Sequence, residues 1–272
     1  MPEGPEVRRS QEDVFEYIKD CTITKLEILG GRFAKKEPVG YQEVKLPTVL
    51  TGGGVKGKFM WFEFGDSSTT MWVTLGMSGY WSIHQTPHAH FRVEFIDQSN
   101  SLKSIYFIDQ RRFGTIKFST DRSELTKKLA TLGLDLLNDD SVELSEFTEK
   151  LIKRKTKTVC EVLMDQRICA GIGNYIKCEV LYRARISPYR RVEDLSALDF
   201  KNLYEWSKRI IKASYLQGGA SIRNYRRMTG EIGDFVFDFE VYSKRTDPLG
   251  NPVIREETLD KRTTHWVPVL QS

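Results

Sequence analysis

Leu163-Met164-Asp165-Gln166-Arg167-Ile168-Cys169-Ala170-Gly171-Ile172-Gly173-Asn174-Tyr175 is the stretch on which the reading of this chain turns. An apolar helix end meets Gly-x-Gly-Asn, and a second, amphipathic helix begins there. Gly171 and Gly173 permit tight backbone turns. They leave amide N–H groups pointing outward at a helix N-terminus, a ready phosphate site. Asn174 is suited to cap that helix and to donate to a phosphate oxygen. The plain alternative is a tight helix–helix corner that uses glycine for packing alone.

Helical spacing continues on both sides. Thr158 to Gln166, Asn174 to Arg183 and Asp199 to Gln217 read as helices, and so do Ser123 to Leu132 and Val142 to Leu151 further upstream. Asn138-Asp139-Asp140 reads as a connection. After Gly218-Gly219 the spacing predicts a polar loop over Ala220 to Gly233, a strand over Phe235 to Tyr242 and a hairpin-like stretch to Ser272. Val49 to Phe118 is β-rich instead, with short apolar runs such as Phe59–Phe64, Thr70–Leu75, Phe91–Phe95 and Ser104–Ile108 parted by Gly, Asp, Ser, Pro or His turns. Many short strands with such turns argue a sandwich or barrel. Cys21 to Leu29 reads as a strand, Gly30 to Phe33 as a turn or bulge, and Ser10 to Lys19 as a helix capped by Ser10. Met1-Pro2-Glu3-Gly4-Pro5-Glu6 reads as a fixed, extended lead-in. The class is α+β, with domains over 1–125, 126–235 and 236–272.

The 272 residues are 40% hydrophobic and carry a formal net charge of +4. That suffices for a sizeable core and allows a nucleic-acid partner without requiring one. No apolar run reaches membrane-spanning length, and the polar start is not a signal peptide. Cys21, Cys160, Cys169 and Cys178 form no C-x-x-C pair and read as structural thiols of an intracellular protein.

Three further stretches carry chemistry. If Met1 is removed, Pro2 has a free secondary amine whose reference pKa, about 8, is well below that of lysine. Added to a sugar aldehyde carbon, it gives an iminium ion, an electron sink. Glu3 is adjacent and suited to proton transfer. Thr51-Gly52-Gly53-Gly54-Val55-Lys56-Gly57-Lys58-Phe59 reads as a glycine-rich turn feeding a strand, without a P-loop pattern. Lys56 and Lys58 have the same parity and share one strand face if the extended conformation starts that early. Leu75-Gly76-Met77-Ser78-Gly79-Tyr80 and Asp109-Gln110-Arg111-Arg112-Phe113-Gly114 follow apolar strands. Methionine, arginine and phenylalanine suit a wedge in a base stack opened by nucleotide flipping; a hairpin and a solvated turn are the plain alternatives.

In this order, Pro-Glu-Gly-Pro-Glu, the Gly-Lys turn, Leu-Gly-Met-Ser-Gly, Asp-x-Arg-Arg-Phe-Gly and Gly-Ile-Gly-Asn resemble the formamidopyrimidine-DNA glycosylase/endonuclease VIII family, over essentially the whole chain. The resemblance implies an N-terminal antiparallel β-sandwich with flanking helices. It implies a C-terminal helix–two-turns–helix domain, and DNA in the cleft between the two. It implies Pro2 as nucleophile at C1′ of the damaged nucleotide, Glu3 as general acid/base and Glu6 as a supporting carboxylate. It makes Lys58 a phosphate-contacting lysine that assists catalysis. It makes Met77, Arg111 and Phe113 the residues that fill the void of the flipped nucleotide, and Asn174 and Arg262 phosphate ligands near the lesion, with Arg262 counted in the catalytic group beside Pro2, Glu3 and Lys58.

Two departures stand out. Thr74 replaces a histidine that the family often has before Leu-Gly-Met-Ser-Gly. Most bacterial members end in a four-cysteine zinc finger, whereas here no cysteine follows Cys178, and Val267 and Leu270 stand at the second cysteine pair. The hairpin is therefore expected to be zincless, with Trp266, Val267 and Leu270 packing in place of metal bonds.

The implied activity is a bifunctional DNA glycosylase/AP lyase. It excises oxidised bases, pyrimidines favoured and formamidopyrimidines next, then cleaves by β,δ-elimination through a Schiff base at Pro2. Neither cofactor nor metal is expected. The partner is double-stranded DNA with oxidised bases or abasic sites, and the enzyme is expected to be a monomer. The alternatives are a member preferring formamidopyrimidine and 8-oxoguanine, a non-catalytic DNA-binding relative, and an N-terminal-proline tautomerase. The last accounts for neither Arg111–Phe113 nor Gly171–Asn174.

Overall fold

The computed structural model describes residues 1–65, 68–218, 228 and 238–272. The chain forms two compact units. The first gathers Met1–Pro2, Glu6–Ala130 and the described part of Gly218–Val236; the second gathers Glu3–Pro5, Thr131–Gln217 and the described part of Phe237–Ser272.

Helix α1 runs Gly4–Ile18. The extended lead-in therefore ends at Glu3, and the predicted start at Ser10 is six residues late. Pro5 lies in the first turn, where its missing N–H is one of the donors a helix leaves unpaired anyway. Val7, Gln11, Val14 and Ile18 recur every three or four residues and are buried, so this face fixes the helix on its unit. β1 follows at Thr22–Ile28. The predicted turn at Gly30–Phe33 is instead the start of a short helix, α2 (Gly31–Lys35), which buries Phe33.

Seven strands complete the first unit: β2 Leu50–Lys56, β3 Phe59–Phe64, β4 Thr70–Thr74, β5 Gly79–Ser82, β6 Ala89–Ile96, β7 Leu102–Asp109 and β8 Thr115–Ser119. They pair antiparallel in two four-stranded sheets, β1-β6-β7-β5 and β2-β3-β4-β8. Met60, Phe62 and Phe64 are buried and alternate with Trp61 and Glu63, as a sheet with one covered face requires. Phe62 and Phe118 from one sheet share a core with Trp81, Phe91 and Phe107 from the other. The architecture is thus a β-sandwich. Helix α3 (Arg122–Ala130) closes the unit.

The glycine-rich stretch corrects its prediction. Gly52–Gly54 lie within β2, paired to β3, and the turn is the dipeptide Gly57-Lys58. Gly57 takes φ 61°, the first central position of a tight hairpin. Lys56 and Lys58 therefore do not share a strand face; the first ends β2 and the second sits in the turn.

The second unit opens with β9 (Leu134–Asp135), which pairs parallel to a later short strand. Helix α4 (Leu144–Ile152) and helix α5 (Val159–Met164) follow; Thr158 and Glu161 form a capping box at the start of α5. That later strand is β10 (Cys169–Ala170). Helix α6 (Asn174–Ala184) was predicted amphipathic, but it is the buried centre of its unit: Tyr175, Ile176, Cys178, Val180 and Leu181 are buried, and so are Lys177 and Glu179. Lys177 and Glu179 are taken up by internal partners rather than forming a polar face. Helix α7 (Ala197–Leu216) starts on a Ser196–Asp199 capping box.

The last two strands, β11 (Ile254–Glu257) and β12 (Thr263–Trp266), pair antiparallel as the expected hairpin. The strand predicted over Phe235–Tyr242 is not formed over its described part, Asp238–Tyr242. The loop predicted over Ala220–Gly233 lies outside the described residues except for Met228, which is buried in the sandwich core.

Candidate functional site

The N-terminus of α6 holds an anion, but it is the chain's own. One Glu3 carboxylate oxygen accepts from the Tyr175 amide at 2.9 Å, and the other accepts from the Ile176 amide at 3.3 Å. Glu3 is 2% exposed. The amides expected to await a phosphate are thus engaged by a carboxylate, which uses the same helix-terminus chemistry. The glycines make this possible. A Cβ on Gly173 would lie 2.2 Å from the Glu3 carboxyl carbon. Gly171 takes φ 96°, its carbonyl accepts from the Gly4 amide at 2.9 Å, and its own amide donates to Gln166. Two glycines in the motif therefore accommodate the segment that begins the chain.

Asn174 is the first helical residue and Gly173 the N-cap, so the predicted capping role does not hold. The Asn174 amide instead donates to the Thr263 carbonyl at 2.8 Å. That bond brings Asn174 to the residue after Arg262, which is exposed in the turn between β11 and β12. Glu3, Asn174 and Arg262, far apart in sequence, are thereby tied to one helix end.

Tyr242 belongs with them and was missed as a site residue. It packs edge-on to His265 at 4.9 Å between centroids and neighbours Tyr175. Burial first, then the charge of Glu3, push its phenol up, against a hydrogen bond with the Asn174 side chain. Glu179 places it: its carboxylate accepts from the amides of Glu240, Val241 and Tyr242 at 3.0, 3.1 and 2.8 Å. Burial pushes the Glu179 carboxyl up, opposed by those three bonds. The only sequence signal was the aromatic in Val241-Tyr242-Ser243 just before the finger.

In the first unit a second group assembles around Asp109, which is buried. One of its carboxylate oxygens accepts from the Ser78 hydroxyl at 2.6 Å; the other accepts from the Gly114 amide at 2.6 Å. Ser78 in turn accepts from the Arg111 amide at 2.9 Å. Leu-Gly-Met-Ser-Gly and Asp-x-Arg-Arg-Phe-Gly are therefore one joined structure. Gly76, at φ 60°, approaches Phe113 and Gly114 so closely that a Cβ would meet their backbone at 2.7 Å. Met77 is half-buried, and Arg111 and Phe113 are exposed, the phenyl ring by 54%. The Arg111 guanidinium lies 5.5 Å from the Phe113 ring centroid. An exposed phenylalanine on a turn this tightly held is a projecting apolar tip.

The other predicted residues lie as follows. Pro2 and Glu6 are buried, the latter wholly, and Lys58 is in the β2–β3 turn. Thr74 shares a hydroxyl hydrogen bond of 2.7 Å with Thr115. All four cysteines are free and buried, and burial pushes the Cys169 and Cys178 thiols up to about 12, so neither is a nucleophile. The finger does not fit a zinc ion. Val267 packs with Cys178, Tyr182 and Val241, Leu270 lies against them, and no group of three metal-ligating side chains occurs among the described residues. Trp266 instead donates to Glu256 and stacks edge-on with Tyr189.

Comparison with known proteins agrees along the chain. Residues 1–116 match the formamidopyrimidine-DNA glycosylase N-terminal domain, 132–226 its H2TH domain and 231–272 its C-terminal domain. A formamidopyrimidine-DNA glycosylase of Prochlorococcus marinus is 31% identical over the full length of both chains. The Lactococcus lactis Fpg protein, solved with DNA containing an oxidised pyrimidine, superposes with a TM-score of 0.84 at 26% identity, covering all of both chains. A variant of it, solved with Fapy-dG-containing DNA, gives 0.86 at the same identity and coverage. No helix among the described residues is long and apolar enough to cross a membrane.

Proposed function

Since this chain belongs to the formamidopyrimidine-DNA glycosylase family, we propose that it is a bifunctional glycosylase/AP lyase that removes oxidised bases from duplex DNA through the amine of Pro2. The DNA glycosylase activity on damaged DNA is that of the family. The lyase mechanism, the lesion preference and the residue roles are our reading. The observation that carries it is the fixing of the Glu3 carboxylate, next in sequence to Pro2, on two amides of α6.

With Met1 removed, Pro2 attacks C1′ of the flipped nucleotide. The N–C1′ bond forms as the glycosidic bond breaks, and the base leaves with a proton. Ring opening gives the iminium, which then draws electrons from C2′ for β- and δ-elimination. Glu3 moves protons at the base-departure and ring-opening steps, with Glu6 in support. Met77, Arg111 and Phe113 fill the vacated stack. Lys58, Asn174 and Arg262 hold phosphates.

For the lesion we favour oxidised pyrimidines, then formamidopyrimidines, because of the zincless finger. The relatives' name supports the alternative order, purine-derived lesions first. A cleavage panel of thymine glycol, dihydrouracil, formamidopyrimidine-guanine and 8-oxoguanine in duplex decides between the two orders. The mechanism is tested by borohydride reduction on an abasic-site duplex. Protein lacking Met1 should form a covalent adduct, and protein retaining Met1 or an N-terminal tag should bind the duplex without forming it. Equal adduct from the blocked protein would exclude Pro2 as the nucleophile.

A further inference from the structure

Lys177 is 0% exposed, on the central helix of its unit, and the proposed mechanism does not use it. Its ammonium lies 2.5 Å from one Asp260 carboxylate oxygen and 2.7 Å from the Thr264 hydroxyl. The Asp260 side chain is 3% exposed. Its other oxygen accepts from the Thr258 hydroxyl at 2.6 Å and from the Arg262 amide at 3.3 Å. Thr258 and Thr264 share a hydrogen bond of 2.6 Å, and the Arg262 carbonyl accepts from the Thr258 amide at 3.1 Å. Every residue of the turn except Leu259 is thus in one hydrogen-bonded knot or adjoins it, since Lys261 closes back on Thr258 with φ 58°.

Burying an ammonium and a carboxylate is costly, and an apolar pair of similar volume is often as stable. What an ion pair adds is direction, because only one turn geometry satisfies all its donors and acceptors. Asn174 and Lys177 are three residues apart, hence on one face of α6. One holds the Thr263 carbonyl and the other holds Asp260 and Thr264. Arg262 lies between these anchor points. Among the described residues no group of three metal-ligating side chains is gathered to set the hairpin tip.

We infer that Lys177 and Asp260 are positioning residues: their buried ion pair replaces a metal as the device that orients Arg262 toward a DNA phosphate. This rests on the reading of Arg262 as a phosphate ligand. The guanidinium then binds from a fixed base and loses little freedom on binding.

The test uses the full chain and a duplex with an uncleavable tetrahydrofuran abasic analogue, with binding measured across a salt series. Lys177→Met combined with Asp260→Leu removes both charges. This pair should melt close to wild type yet bind about tenfold more weakly, the loss of roughly one charge-assisted contact. Its salt dependence should be shallower by about one phosphate. KM for a lesion duplex should rise while kcat under saturation changes little. Adding Arg262→Ala should cost under about twofold more, because the two changes remove the same contact.

Wild-type affinity and salt slope in the folded double variant, with Arg262→Ala costing as much there as in the parent, would overturn the proposal. If the double variant does not fold, Asp260→Asn, which keeps the side-chain volume, is judged by the same slope and the same Arg262→Ala comparison. Arg262→Ala in the parent background separates the two ideas. If it changes neither affinity nor slope, the phosphate reading fails and the positioning role falls with it.

Discussion

Gly173 has a backbone that any residue accepts but no room for a side chain, because the Glu3 carboxylate occupies the space. Gly173→Ala is therefore expected to displace that carboxylate from the α6 amides while leaving the fold largely intact. Excision of a base lesion should drop by about 100-fold or more, the usual worth of a positioned general acid/base. Cleavage of a preformed abasic site should fall less, as it should for Glu3→Gln. Gel-based single-turnover assays on the two substrates check this; equal losses would place the effect in folding or in another proton donor. Glu3 and Gly173 show how much a residue can say by itself. The sequence marked both as chemically important and gave no sign that they touch, since contact across so many residues leaves no local pattern.

At the scale of elements, the Asp109 assembly is the clearest case of two loops made into one. Met77→Ala, Arg111→Ala and Phe113→Ala should each slow excision from intact duplex more than cleavage at an abasic site, since a flipped base costs a few kcal/mol that the inserted groups partly offset. Asp109→Asn should weaken all three insertions together and cost about 1–3 kcal/mol of stability, because a buried acceptor network loses its charge. Urea unfolding alongside the two cleavage assays tests both statements; wild-type excision by all three tip variants would leave only a structural turn. The strands themselves were legible because alternation in runs such as Phe59–Phe64 is a direct image of a one-sided sheet. Elsewhere the same reading failed for definable reasons. Pro5 at the first turn of α1 looked like a breaker although that turn tolerates it. Three glycines looked like a turn although β2 absorbs them. Lys177 and Glu179 made α6 look amphipathic because periodicity cannot show that a charge has a buried partner.

At the scale of the molecule, one titrating group gives a testable pH window. Burial, then the charges of Arg255 and Lys177, lower the His265 imidazole to about 4 from an ordinary value of 6.5. The folded state therefore resists the proton that the unfolded chain accepts. Stability from this group is full above pH 6.5 and falls as the pH drops toward 4, by at most about 1.4 kcal/mol per pH unit. His265→Gln should flatten that part of the stability profile, measured as denaturant midpoints between pH 4 and 7. An unchanged slope would assign the acid sensitivity to other groups. That no cysteine is left to form a four-cysteine finger was legible because cysteine counting needs only the sequence. What holds the hairpin instead was not, because the anchors on α6 are remote in the chain.

The bond between Glu3 and the Tyr175 amide spans 172 residues. Closing a loop of that length costs on the order of 4–5 kcal/mol of chain entropy, so the contact forms late, after the helix it caps has its own support. A ribosome would release the third residue of the chain long before its partners exist. During synthesis the amino end is thus a tail with an unplaced carboxylate, the state in which the proposed removal of Met1 would take place. It becomes a docked group only when α6 is made and folded. If Pro2 and Glu3 have the roles proposed above, exposure of the proline amine and placement of its acid/base are thereby put in order by chain length alone.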